Sequence, residues 1–220
     1  MSAAARGRFI TLEGGEGAGK STQARRLAAR LGETGRSVLA TREPGGSPGA
    51  EAIRELLLGG ATGRWDAMAE LLLMTAARRA HVVETVAPAL DAGTWVVCDR
   101  YVDSTVAYQG FGHGLGHEAV KRLHRLALDD LMPDVTLWLD LPVAEGLARA
   151  GARDGARGGA ADRFQRFGAD FHQRVREGFA FIHERAPRRV KRVDARGDEA
   201  AVAEAVGQVV APHVEGSRKA

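Results

Sequence analysis

A short β-type run, Phe9-Ile10-Thr11-Leu12-Glu13, breaks into Gly14-Gly15-Glu16-Gly17-Ala18-Gly19-Lys20-Ser21-Thr22, and a helical pattern restarts at Gln23. The spacing is G-x-x-x-x-G-K-S. Glycines let a backbone curl until several N–H groups converge on one anion, a geometry that side chains would obstruct. The following helix turns the positive end of its dipole to the same point. Lys20 can then reach the β- and γ-phosphates of a nucleoside triphosphate, and the Ser21 hydroxyl can ligate Mg2+. A glycine-rich turn that binds nothing has no need of strand, loop, Lys-Ser and helix in this order. The stretch reads as a nucleoside-triphosphate site.

A second constellation follows the apolar run Thr94-Trp95-Val96-Val97-Cys98, which delivers Asp99-Arg100-Tyr101 to its carboxyl end. Asp99 reads as a water-mediated partner of Mg2+; N-capping of the next segment is the alternative. Phosphoryl transfer gathers charge on the migrating group, and planar guanidinium forks neutralise it best. Arg54, Arg78, Arg100 and the arginines set among glycines, Arg149, Arg153, Arg157 and Arg163, are the candidates. In an Arg-rich chain any one of them is otherwise a solvated surface residue. Cys98 lies inside the apolar run and reads as core, and His81, His113 and His117 show no zinc-like spacing.

These residues need elements to position them. Strand patterns fall at 8–13, 37–42, 94–98, 134–139 and 189–193, and helical patterns lie between them. The helices run to about residue 31, over 50–58, over 66–90, on either side of a glycine-rich turn at 110–116, from 143, to about 184, and over 199–210. Residues 1–7 read as a frayed tail, and the breaker cluster Glu43-Pro44-Gly45-Gly46-Ser47-Pro48 can be neither helix nor central strand. Alternating strands and helices predict a P-loop NTPase-type α/β fold: a parallel five-stranded sheet, helices on both faces, ligands at the carboxyl ends of the strands. The longest irregular stretch, 151–161, reads as part of a short Arg-rich lid at about 149–163 rather than a domain boundary, so residues 1–220 form one domain.

At 220 residues the chain is long enough to bury about 70% of its unfolded surface. The single cysteine allows no internal disulfide and points to the cytoplasm. No apolar run approaches the ~20 residues of a membrane span. The net charge of +3 comes from interspersed acids and bases with no basic stripe, so phosphate-binding Arg clusters are expected rather than a nucleic-acid partner. The chain contains no Asn, so it cannot carry the Asn-Lys-x-Asp guanine reader of a GTP-regulated switch.

Five motifs in order resemble the thymidylate kinase family: residues 14–21, Arg42-Glu43-Pro44-Gly45-Gly46, the stretch 71–81 ending Arg78-Arg79-Ala80-His81, Asp99-Arg100-Tyr101 with Ser104 and Ala107-Tyr108-Gln109, and Asp162-Arg163-Phe164. The resemblance runs from residue 8 to the C-terminal helix. It implies transfer of a phosphoryl group from Mg2+-ATP to dTMP, and a homodimer packed through helices. By resemblance, 14–22 bind ATP, Ser21 and Asp99 serve Mg2+, and Glu16 meets the deoxyribose 3′-hydroxyl. Glu43 and Pro44, with a cis bond between them, shape the acceptor pocket. Arg54 and Arg100 hold the dTMP phosphate, Arg78 a thymine carbonyl, and Thr105 faces the thymine ring with Ser104 and Gln109 nearby. Tyr108 walls the sugar against a 2′-hydroxyl. The implied catalytic set is Lys20, Arg100, Glu16 and the lid arginines Arg153 and Arg157. Gly17 stands where some members carry a loop arginine, so the chain resembles the bacterial lid-arginine type. Three departures mark it: Met74 where a stacking Phe is usual, Gln165 where a Glu follows Asp-Arg-Phe, and extra Gly and Ala around Arg157.

Overall fold

The computed structural model describes residues 6–156 and 163–216. Five parallel strands, β1 (Phe9–Glu13), β2 (Val38–Arg42), β3 (Trp95–Asp99), β4 (Val135–Asp140) and β5 (Val190–Asp194), form one sheet in the order β2-β3-β1-β4-β5. Every residue of β1, β3 and β4 is buried, as continuous apolar runs covered on both faces require. Alternate residues divide between two cores. Ile10, Leu12, Val97 and Leu137 face the first helix, α1 (Lys20–Glu33), and the last, α9 (Glu199–Gly216). Phe9, Val96 and Cys98 face the opposite layer. The register pairs Leu12 with Asp99, so the loop after β1 and the acid ending β3 emerge side by side.

The breaker cluster at 43–48 turns into α2 (Pro48–Leu58), whose N-cap is Ser47. The helix α3 (Ala67–His81) starts where Asp66 accepts the N–H groups of Met68 and Ala69 at 2.8 and 2.9 Å. It continues through a π-helical turn, Val82–Val86, into α4 (Ala87–Asp91), so the expected helix over 66–90 is one run with a wide turn inserted. After β3, α5 (Val102–Thr105) passes into a second π-helical segment, Val106–Gly112, before α6 (His117–Leu128). That segment lies against α8 (Ala169–Arg185), where Gly178 brings the two backbones close: a Cβ there would sit 2.9 Å from Ala107 Cα. No helix among the described residues is long and apolar enough to cross a membrane.

The lid differs from its expected form. The helix α7 spans Val143–Ala156, so residues 151–156 are helical rather than irregular. Alanine and arginine are strong helix formers, so Gly151 and Gly155, at about 1 kcal/mol each, weaken the helix without ending it. Residues 157–162, including Arg157 and Asp162, lie outside the described residues.

Candidate active site

A cleft of ≈ 490 Å³ opens at the carboxyl ends of β1, β2 and β3. One wall is the loop between β1 and α1. Gly14, Gly17 and Gly19 take φ of 142°, 68° and 87°, values that suit glycine. The first turn of α1 carries no acid and no side-chain cap, so its N–H groups face the cleft without competition. Lys20 is buried, with Nζ donating to Gly15 O at 2.6 Å. Burial, with the nearby charge of Arg100, pulls its pKa down to about 8. Ser21 Oγ donates a short hydrogen bond to Asp99 Oδ2. Asp99 Oδ1 is buried with no hydrogen-bond partner among the described residues. Asp99 does not cap α5, whose N-cap position is Tyr101 with no side-chain cap bond.

Arg100 crosses the middle of the cleft. Its Nη1 donates to Gly14 O and Ser104 Oγ, each at 3.1 Å, and its Nη2 to Glu16 Oε1 at 2.8 Å and Tyr108 OH at 3.1 Å. Tyr108 also donates to Glu16 Oε1 at 2.7 Å. Burial alone would raise the Glu16 pKa, but Arg100 and Lys20 hold it at about 2. Arg100 has φ 74°, the left-handed region rare for a side-chain-bearing residue. Such conformations persist at sites whose surroundings over-determine them.

The far wall holds a buried polar cluster. Arg78 donates from Nε to Glu43 Oε2 at 2.7 Å and from Nη2 to Thr105 Oγ1 at 2.8 Å. Its Nη1 is uncommitted among the described residues. Gln109 donates from Nε2 to Glu70 Oε1 at 2.7 Å, while its Oε1 is buried without a partner there. Arg54 Nη1 donates to Pro44 O at 2.6 Å, and the Glu43–Pro44 bond is cis. Met74, Ser104 and Gln165 line the same cleft, as do Arg149 and Arg153 on α7. Every residue expected to hold the acceptor therefore faces one cavity.

The helix α7 meets the loop with no side chain between them. A Cβ on Gly17 would lie 2.0 Å from Gly146 O, and one on Gly146 would lie 2.4 Å from Glu16 O. Arginine at position 17 has no room. Of the two α7 arginines that line the cleft, Arg149 gives its guanidinium to Ala195 O at 3.0 Å and Arg196 O at 3.1 Å instead of the phosphates, which leaves Arg153.

Arg163 is a correction. Its flanking glycines suggested a lid arginine over the phosphates, yet it is fully buried and donates to Leu57 O at 2.9 Å, to Thr62 O at 3.2 Å and to Glu70 Oε2. Glu70, also fully buried, keeps a lowered pKa: burial pushes it up, but the adjacent His113 ring and bonds from Gln109 and Arg163 pull it down. Arg163 anchors the chain after residue 162 to the α2–α3 connection, and Glu70 in turn fixes Gln109. Arg163→Met is expected to take the guanidinium from a buried carboxylate and cost about 3–5 kcal/mol of stability. Urea denaturation checks this. An unchanged midpoint and slope would refute the anchoring role.

Sequence reading also missed Glu13. It is fully buried at the end of β1, accepting from Tyr101 N at 2.7 Å and Ser104 Oγ at 2.5 Å. Burial, with the nearby charge of Asp103, raises its pKa to about 8. A lone carboxylate closing an apolar strand was the available signal. Asp103, held by Arg189 and Thr136 beneath the same turn, had none, because its partners are distant in sequence.

Residues 12–206 match the family model described as thymidylate kinase. A thymidylate kinase of Rhizorhabdus wittichii is 52% identical over 191 residues, covering 87% of this chain and 90% of that protein. One from Caulobacter vibrioides is 51% identical over 204 residues, covering 93% and 96%. Among solved structures, thymidylate kinase from Ehrlichia chaffeensis superposes with a TM-score of 0.73 at 33% identity, covering 93% of this chain and 99% of that one.

Proposed function

Because the chain belongs to the thymidylate kinase family and so phosphorylates dTMP to dTDP, we propose that the phosphoryl group comes from Mg2+-ATP held by residues 14–22 and passes in line to dTMP in the far half of the cleft. The observation that carries this reading is Arg100, which spans from the Gly14 carbonyl of the phosphate loop to Ser104 and Tyr108 of the acceptor wall. A guanidinium there meets both the donated and the accepting phosphate.

Ser21 Oγ and the unpartnered Asp99 Oδ1 suit a hard cation with oxygen ligands, Asp99 directly or through a water. Bound there, Mg2+ would supply positive charge to the donor phosphates. Lys20 supports the donor phosphates, Glu16 orients Arg100 and Tyr108 and meets the deoxyribose 3′-hydroxyl, and Arg153 approaches from α7; Arg157 completes the proposed catalytic set. The attacking phosphate oxygen is already deprotonated at neutral pH, so the chemistry rests on positioning and charge rather than on a general base.

The base is chosen by hydrogen-bond polarity. Gln109 offers a free acceptor and Arg78 a free donor. Thymine presents a ring N–H and a carbonyl that complement them, whereas cytosine presents the reverse. Met74 packs its thioether on the ring. Glu43, Pro44, Arg54, Ser104, Thr105 and Tyr108 close the site around phosphate and sugar. ADP release should be fastest with dTMP, slower with dUMP and lowest with dCMP, UMP and thymidine. Preference for thymidine or dCMP over dTMP would overturn the acceptor reading.

We also propose a single catalytic domain in the cytoplasm, where the buried thiol of Cys98 would stay reduced, and a homodimer. The exposed Met68 and Leu72 of α3, Val83 after it and Leu126 of α6, which is 82% exposed, support self-association. Sedimentation should give twice the chain mass, and Leu126→Glu should shift it toward the monomer.

A further inference from the structure

Arg78 reaches the cleft on a support that extends one residue deeper. Glu43 divides its carboxylate between two donors, Oε2 to Arg78 Nε at 2.7 Å and Oε1 to His81 Nδ1 at 3.0 Å. Arg78 and His81 are three residues apart on α3 and therefore share a face. On its other side His81 Nε2 lies 2.8 Å from Thr41 Oγ1 of β2. All three members are deeply buried, with His81 at 0%, Arg78 at 4% and Glu43 at 5% exposure.

The Glu43 carboxylate accepts from both partners, so His81 Nδ1 donates to Oε1, while Nε2 shares a hydrogen bond with the Thr41 hydroxyl. Glycine at 46 leaves room for the pair: a Cβ there would stand 2.5 Å from His81 Nε2 and 2.6 Å from Thr41 Oγ1. Arg78 itself rests over the Tyr101 ring at 5.1 Å.

We propose that His81 is a positioning residue for acceptor recognition: by occupying the second oxygen of Glu43, it sets the orientation of the Arg78 guanidinium in the cleft. This rests on the reading of Arg78 as a residue that contacts the acceptor base. Without the imidazole donor, Glu43 Oε1 has no partner, the carboxylate is free to rotate, and the Nη1 that should meet a pyrimidine carbonyl loses its aim. The effect belongs to the monophosphate half of the cleft. The triphosphate half shares none of these bonds.

The test is steady-state kinetics with each substrate varied in turn. His81→Phe keeps a ring of similar size and should raise KM for dTMP about tenfold, the size of one hydrogen bond to a charged group, with KM for ATP unchanged. His81→Asn restores an N–H near the Nδ1 position and should recover most of the loss. Thr41→Val leaves the imidazole in place and should give a smaller rise, about threefold; it carries the test if His81→Phe does not fold. Arg78→Ala serves as the reference. If it leaves KM for dTMP unchanged, the reading of Arg78 fails and the proposal with it. If Arg78→Ala raises that KM while His81→Phe and Thr41→Val do not, the proposal alone is overturned. Equal rises in both KM values, without recovery in His81→Asn, would make His81 a merely structural core residue and also overturn it.

Discussion

Arg100→Ala should lower kcat/KM for dTMP by about 10³-fold or more, the range seen when a charge-neutralising arginine is removed from phosphoryl transfer. The guanidinium spans the cleft, and its bonds to Gly14, Glu16, Ser104 and Tyr108 hold it in place before any ligand arrives. Such preorganisation is what makes a charge effective in a desolvated site. A companion variant separates charge from backbone strain. At φ 74° alanine is as strained as arginine, whereas glycine is relaxed. Arg100→Gly should therefore be as inactive as Arg100→Ala but melt at a higher temperature. Retention of activity in either would remove Arg100 from the reaction.

The same substitution has an acid signature. Burial favours protonated Glu16, and Arg100 foremost holds its pKa at about 2, below its ordinary value of 4.5. A depressed carboxylate contributes stability that is full above the unfolded pKa and is lost as pH falls through the folded one. In the native chain that loss lies between about 4.5 and 2. Without Arg100 the largest influence lowering the Glu16 pKa is gone, and the acid limb of the stability profile should begin at higher pH. Thermal melts across pH 2–6 would show it.

Lys20→Met should reduce kcat by about 10²-fold, comparable to losing one transition-state donor, and it should abolish a proton uptake. The Lys20 pKa lies at about 8 because burial and the charge of Arg100 disfavour the ammonium, against an ordinary value of 10.5. Between these values the folded protein binds fewer protons than the unfolded chain, so this group makes stability rise with pH across that window. A triphosphate reverses the balance by restoring a counter-charge. Above pH 8, ATP binding should take up protons, because a large share of Lys20 is neutral before binding. Calorimetry in two buffers of different ionisation heat measures it directly. Equal heats in both buffers would contradict the shifted lysine.

What could be read from the chain alone was whatever local chemistry dictates. Residues 14–22 announced their function because glycine, lysine and serine act there through the backbone they belong to. Asp99-Arg100 was visible because a polar pair ended an apolar strand. Arg163 was misread for the complementary reason: its glycine-rich flank suggested exposure, whereas its partner Glu70 lies 93 positions earlier. The i, i+3 spacing of Arg78 and His81 was in view, but Glu43, the residue that joins them, stands on another element. The two π-helical turns were not foreseen either, since a widened turn is set by what packs against it, as Gly178 of α8 does against Ala107.

The meeting of Gly17 with Gly146 limits the routes by which this catalyst could change. A variant that moved its arginine onto the phosphate loop at position 17 would collide with the α7 backbone, whatever residue stood at 146. A second substitution cannot rescue the first, because the obstruction is main chain. The helix would have to be re-sited before the loop could accept a side chain. In mutational terms the two arrangements are separated by a valley that no single exchange crosses, and an engineer grafting the arginine onto the loop must redesign where α7 begins.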